Sequence, residues 1–252
     1  MTDHVKVERD GAVLSVILNR PDKKNALTSA MYDAMRGALE AAAIHDGIAV
    51  VTFSGEGGVF TAGNDIADFA AAAQSAQGVE ASAGGKFIRA LARFDKPLVA
   101  AVEGNAVGIG TTLCFHCDLV YAAPSAKFRM PFVDLGLVPE GGASMLAPLR
   151  FGFPRAAEFL LLGEAFGAET AKEIGFVNAV TPAEGLRALA MEKARALASK
   201  PRAAMLATRR LLRGDREPLY AHMEAELEAF AAAVRSPEAR KAFMAFLGKG
   251  KG

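Results

Sequence analysis

Polar and apolar positions alternate at Val5 and Val7, and Val13-Leu14-Ser15-Val16-Ile17-Leu18 follows as a short apolar run. Asp10-Gly11 lies between them, so the two segments predict a β-hairpin. Asn19-Arg20-Pro21-Asp22-Lys23-Lys24-Asn25 reads as a polar loop. Thr28 suits a helix N-cap, and Met31, Met35, Leu39 and Ala42 follow at helical spacing towards Gly47. Ile48 to Phe53 is a continuous apolar run closed by Ser54-Gly55-Glu56-Gly57-Gly58, the pattern of a buried strand. Pro97 to Val102 and Leu119 to Ala122 predict two more strands, each after a helical stretch. Strand–helix–strand alternation of this kind predicts an α/β fold with a partly parallel sheet.

From Pro154 onward helical patterns dominate. Glu184–Ala198 and Arg202–Arg213 are expected helices, with Pro182 and Pro201 near their starts. Residues 217–235 place Leu219, Tyr220, Met223, Leu227, Phe230 and Val234 on one face. Ser236-Pro237 restarts a helix carrying Phe243, Phe246 and Leu247. The amphipathic end packs either on another subunit or on its own core. Ala70–Gly85 is rich in Ala, Gln, Ser and Gly and reads as a mobile or weakly helical insertion near the binding site. No repeat of solenoid period is visible.

The length of 252 residues fits one large domain, or one with a small appendage. The charge balance, 29 Lys and Arg against 28 Asp and Glu, argues against a strongly basic nucleic-acid binder. Pro97 to Phe115 is the most apolar stretch, but Glu103, Asn105 and its glycines make it a poor membrane span. Met1-Thr2-Asp3-His4 lacks the layout of a secretory signal. With Cys114 and Cys117 the only cysteines, no disulfide framework is implied, and a cytoplasmic location is the expectation.

Cys114 and Cys117 form a C-x-x-C, but no second ligand pair completes a zinc site, and no metal is expected. The pair falls towards the end of a predicted helix, away from the dipole that would activate a thiol, so two small core residues are the plainer reading. Gly104 to Gly110 lies between a strand and a helix. It lacks the third glycine of a dinucleotide fingerprint and the Gly-Lys-Ser/Thr of a P-loop. It reads as a tight turn or as a backbone donor site centred on the Ile109 amide, which Gly108 and Gly110 leave uncovered. Gly58 to Ile66 offers the same choice, a capped loop or free amides near Asn64 and Asp65. Glu140, among apolar and glycine residues, is either an exposed helix-start carboxylate or a buried base. Arg209, Arg210 and Arg213 make a basic helix face, read as solvated surface rather than a phosphate site.

In order along the chain, Leu18-Asn19-Arg20-Pro21 to Asn25-Ala26-Leu27, Phe60 to Ile66 and Lys96 to Gly104 resemble the crotonase superfamily, the enoyl-CoA hydratase/isomerase family. Gly108-Ile109-Gly110, Cys117-Asp118-Leu119, Phe128 to Gly142 and Ser236 to Leu247 continue the resemblance. Each segment is weak alone; the ordered set is specific and covers nearly the whole chain. It implies an α/β spiral of ββα units over residues 1–190 and a helical oligomerisation region over 191–252, building a homotrimer or a dimer of trimers. It also implies an acyl-CoA thioester substrate, with coenzyme A as part of the substrate and no permanently bound cofactor. Neither nucleic acid nor membrane is an expected partner.

By this resemblance the amides of Asn64 and Ile109 hold the thioester oxygen. Lys24, Asn25, Ala26, Ala62, Asp65, Ile66 and Gly108 form the expected coenzyme A site, and Phe132 and Pro139 the substrate pocket. Family hydratases use two glutamates flanking a water, and those positions here are Thr112 and Phe132. Glu140 instead matches the single glutamate of peroxisomal-type 3-enoyl-CoA isomerases, which carry a similar Pro-Glu-Gly segment. Double-bond isomerisation is therefore the leading expectation. Hydration of 2-enoyl-CoA through Glu140 alone is the close alternative, and a non-catalytic coenzyme A-binding or assembly subunit is the alternative of another class.

Overall fold

The hairpin forms as its alternation predicts. Strands β1 (Val5–Asp10) and β2 (Val13–Leu18) pair antiparallel from Val5↔Leu18 to Asp10↔Val13. The structure, a computed structural model, describes residues 2–73 and 81–249. Helix α1 (Ser29–Ile44) starts where the Thr28 side chain accepts a hydrogen bond from the Met31 amide, and it buries Met31, Met35, Leu39 and Ala42. The chain continues through β3 (Val50–Gly55), α2 (Ile66–Ala73), α3 (Ala83–Arg93), β4 (Leu98–Val102), β5 (Asn105–Val107), α4 (Ile109–His116), β6 (Leu119–Ala122) and β7 (Lys127–Arg129). Then come α5 (Ala143–Phe151), α6 (Phe153–Leu161), β8 (Phe166–Gly167), α7 (Ala168–Glu173), β9 (Ala179–Val180), α8 (Ala183–Ala198), α9 (Arg202–Arg213), α10 (Glu217–Val234) and α11 (Pro237–Lys249).

The large sheet has the order β1-β2-β3-β4-β6-β9, parallel throughout except for the opening hairpin. Every residue of β4 is buried, as a strand covered on both faces requires. A small sheet, β5-β7-β8, stands beside it. β4 and β5 precede α4, and β6 and β7 precede α5; each pair gives one strand to each sheet. This repetition makes the chain a spiral of ββα units with a helical C-terminal region.

Helix α8 covers the outer face of the large sheet with Leu186, Ala190 and Ala194, so the expected boundary at residue 190 falls inside one helix. Helix α10 buries Leu219, Met223, Leu227, Phe230 and Val234. Of the two readings of the amphipathic end, packing on its own core is observed for α10. Phe246 and Leu247 lie outside the described side chains. The expected insertion at Ala70–Gly85 lies partly outside the described residues, and its described ends belong to α2 and α3.

Strands β8 and β9 depart from the helical reading after Pro154. Each has two residues, too few to show a period of two, and each is held by distant partners in β7 and β6. The arginine face is also corrected. Arg210 is exposed, but Arg209 is buried and Arg213 half-buried, and both bind Asp118. Both cysteines are buried free thiols pushed up by burial, so the core reading holds for them.

Candidate active site

Two isolated parallel bridges, Leu27↔Asn64 and Thr61↔Ala106, draw three distant segments together. Leu27 donates to the Gly63 carbonyl and accepts from the Asp65 amide, so the N–H of Asn64 points the other way. Gly63 has φ of 88°, and a Cβ there would stand 3.0 Å from the Val107 carbonyl oxygen, so the close approach demands glycine. Opposite, α4 is buried along its whole length and begins after Gly108 without a side-chain cap. Its first amides lack intrahelical partners, and the helix dipole adds positive potential there. Among the described residues no acceptor is found for the amides of Asn64 or Ile109.

Both residues line one cavity of about 1000 Å³, and Glu140 lines it too. Glu140 is 5% exposed. Its Oε1 accepts a 2.6 Å hydrogen bond from the Thr112 hydroxyl on α4, whereas its buried Oε2 has no partner among the described residues. Burial pushes the carboxyl up to about 8; the Thr112 bond opposes this and the charge of Glu226 adds to it. Such a group takes a proton near neutral pH and gives it back readily. The arrangement combines amide donors for a developing oxyanion with one proton-transfer group.

Most of the expected site converges here. Ala26, Ala62, Asp65, Ile66, Gly108 and Phe132 join Asn64, Ile109 and Glu140 around the cavity. Asp65 also holds its own neighbourhood. Burial disfavours its charge, but the Arg20 guanidinium at 2.8 Å and the amides of Asp68 and Ala67 keep it below the usual carboxylate range.

Lys24, Asn25 and Pro139 are not among the residues that line this cavity. Lys24 is exposed and contributes its carbonyl to the Ala62 amide, while its neighbour Lys23 reaches the cavity. Asn25 is fully buried. Its side chain accepts from the Arg20 amide and donates to the Glu56 and Val59 carbonyls, so it holds the loop. Pro139 is half-buried behind Glu140, and Leu137 takes the lining position.

Sequence reasoning missed Arg20, Lys23, Arg129, Phe230 and Phe243 in the lining, and Tyr32 behind it. The Tyr32 hydroxyl donates 2.5 Å to the Asn64 side-chain oxygen. Burial, with the charges of Glu140 and Asp68, raises that phenol, so it stays a donor. Phe230 and Phe243 come from α10 and α11, the amphipathic end for which the sequence left packing on another subunit or on its own core open.

Among the described residues no group of three or more His, Cys, Asp or Glu side chains is arranged to hold a metal, and no helix is long and apolar enough to cross a membrane.

A spiral of ββα units over two linked sheets is the crotonase fold. The enoyl-CoA hydratase/isomerase profile matches residues 8–252, and the chain belongs to that family. It is 34% identical to rat enoyl-CoA delta isomerase 2 over 96% of this chain and 63% of that protein. The chain thus spans less than two thirds of the rat protein's length. It is 32% identical to 2,3-dehydroadipyl-CoA hydratase of Escherichia coli K12, over 96% of this chain and 95% of that protein. A solved enoyl-CoA hydratase/isomerase from Pseudoalteromonas atlantica superposes with a TM-score of 0.91 at 36% identity, covering 98% of both chains. The Pseudomonas aeruginosa protein OdaA also gives 0.91, at 40% identity over 98% of this chain and 99% of its own.

Proposed function

We propose that the chain moves the double bond of a 3-enoyl-CoA to give a 2-enoyl-CoA. Glu140 Oε2 removes a proton from carbon 2, and the electron pair delocalises onto the thioester oxygen. The amides of Asn64 and Ile109 hold that oxyanion; loss of one such donor typically costs about a hundred- to a thousand-fold in rate. The protonated Glu140 then delivers its proton to carbon 4, and the thioester carbonyl re-forms. No water enters the balance, so one carboxyl suffices.

The observation that carries this reading is the pairing of Glu140 with Thr112. A hydroxyl that donates to the base at 2.6 Å stands where a second carboxylate would be needed to steer water. Phe132, buried in the cavity wall, supports a dry pocket. Arg20 and Lys23 at the cavity suit the phosphates of the coenzyme A portion. Exposed Leu149, Phe153, Leu161 and Leu162 on neighbouring helices, with Leu211 and Leu212 on α9, support a homotrimer or a dimer of trimers.

Similarity to a protein named as a hydratase favours hydration as the second reading. Isomerisation of a 3-enoyl-CoA, followed by the appearance of conjugated thioester absorbance, tests the first. Fast loss of that absorbance from crotonyl-CoA, without 3-enoyl turnover, would replace isomerase by hydratase. Binding of both thioesters with no turnover of either would leave a coenzyme A-binding subunit.

A further inference from the structure

The segment that carries Glu140 is gripped from two sides. On α4, His116 is buried and its Nε2 lies 2.7 Å from the Gly141 carbonyl. Burial lowers its pKa to about 3, so the ring is neutral and the nitrogen facing the carbonyl carries its hydrogen. On α10, the buried Glu226 receives three donors from the start of α5. Its Oε2 accepts from the Gly142 amide at 2.6 Å, and its Oε1 accepts from the Ser144 amide at 2.9 Å and the Ser144 hydroxyl at 2.5 Å. His222 Nε2 stands 2.7 Å from the same hydroxyl, whose proton goes to Glu226, so His222 is the donor there. Gly142 has φ of 77°, and a Cβ would lie 2.6 Å from Leu219 of α10, so helix and turn are in direct register.

We propose that Glu226 is a positioning residue for Glu140, fixing from α10 the turn that follows Glu140 and so the placement of its carboxyl at the cavity wall. The inference rests on Glu140 being the base of the proposed reaction. Glu226 does not face the cavity, and its three acceptor contacts all lie two to four residues beyond Glu140. Its charge also raises the Glu140 pKa. The other titratable groups around this pair are His116 on α4, Tyr32 on α1 and His222 on α10, with Asp68 of α2 acting on Tyr32.

Glu226→Gln is the test. A glutamine keeps the shape, but its NH₂ must face a backbone N–H that the carboxylate now receives. In that variant kcat falls about tenfold to a hundredfold, as a small misplacement of a reacting group does. KM for the acyl-CoA changes less. The acid limb of the kcat/KM profile moves to lower pH, because removing a neighbouring negative charge makes Glu140 easier to ionise. Wild-type kcat with an unmoved limb overturns the proposal. So does a loss of thermal stability alone, with normal turnover per binding-competent site.

A ¹³C-carboxyl NMR titration, with the Glu140 signal assigned by its absence in Glu140→Gln, needs no turnover. Its midpoint drops in Glu226→Gln if Glu226 acts as stated, and stays put if it does not. A wild-type protein without isomerase or hydratase turnover would therefore fail the functional reading without touching this test. Ser144→Ala, which keeps both backbone contacts, serves if Glu226→Gln does not fold. A loosened turn shifts and broadens the Glu140 signal, and an unchanged signal overturns the proposal.

Discussion

Asp118 and Glu140 are carboxylic acids a short stretch apart in sequence with opposite surroundings. Asp118 accepts from the Leu98 amide at 2.8 Å, from Arg209 Nε at 2.9 Å and from Arg213 at 2.9 Å. Two cations and a backbone donor occupy its oxygens, and it ties α9 to the starts of the central strands β4 and β6. Among the described residues Glu140 has one neutral donor, an oxygen without a partner and no cation partner. The same functional group is a structural tie where its lone pairs are filled and is suited to carry a proton, as proposed for Glu140, where they are left short. Stability and chemistry are thus assigned by the number of donors, not by residue type.

Glu140→Gln breaks this comparison on the chemical side and has the largest expected effect. Turnover drops by about 10²- to 10⁴-fold, the usual worth of a positioned general base. Acyl-CoA affinity by calorimetry stays within about threefold, and persistence of more than about a tenth of the activity would remove Glu140 from its role.

Asp118→Ala breaks it on the structural side. Arg209, 7% exposed, is left without its counter-charge, and the urea unfolding free energy drops by about 3 kcal/mol. Turnover per folded molecule changes little. A rate loss as large as that of Glu140→Gln would show the two carboxyls to be coupled rather than separate.

pH sharpens the contrast. The base form of Glu140 must be unprotonated, so kcat/KM rises with pH through about 8. Stability runs the other way. A carboxyl whose folded pKa lies above its ordinary value of 4.5 binds its proton more tightly when folded. Its contribution is complete below about 4.5 and is lost as pH rises towards 8. The stability difference between Glu140→Gln and wild type should therefore grow in favour of the variant from pH 5 to pH 8, read by urea midpoints; a constant difference would contradict the raised value.

Tyr32→Phe is the finest probe. It removes the donor to the Asn64 side chain while leaving the Asn64 amide in place. A hydrogen bond worth about 1 kcal/mol predicts a loss in kcat of about fivefold, visible in steady-state kinetics. An unchanged kcat would show that the Leu27 bridge alone holds Asn64.

The fold was legible wherever a period ran long enough. The hairpin, α1, β4, α8 and α9 lie within a few residues of where alternation, apolar runs and prolines put them. β8 and β9 were not legible, because each exists only through a partner far away in sequence. In the site, Asn64, Ile109 and Glu140 were named from glycine spacing, an apolar setting and family likeness. Their common cavity follows from the bridges at Leu27 and Thr61, which leave no mark in local composition. The hold of Asn25 on its own loop was not legible, because a buried asparagine in a polar loop looks the same whether its side chain meets a ligand or its own backbone. Arg209 misled for a related reason: a basic helix face reads as solvated until the acid it covers is known.

The clasp between Gly142 and Glu226 joins residues 84 positions apart. At about 5–20 residues per second, a ribosome that has made the turn needs roughly 4–17 s more to make its clasp. A nascent chain would therefore carry the sheet, the Asn64 and Ile109 segments and Glu140 for seconds before the contact from α10 to the Gly142 turn can form. A chain that ended after α9 would hold the spiral and Glu140 but none of the three contacts by which Glu226 binds the turn that follows Glu140.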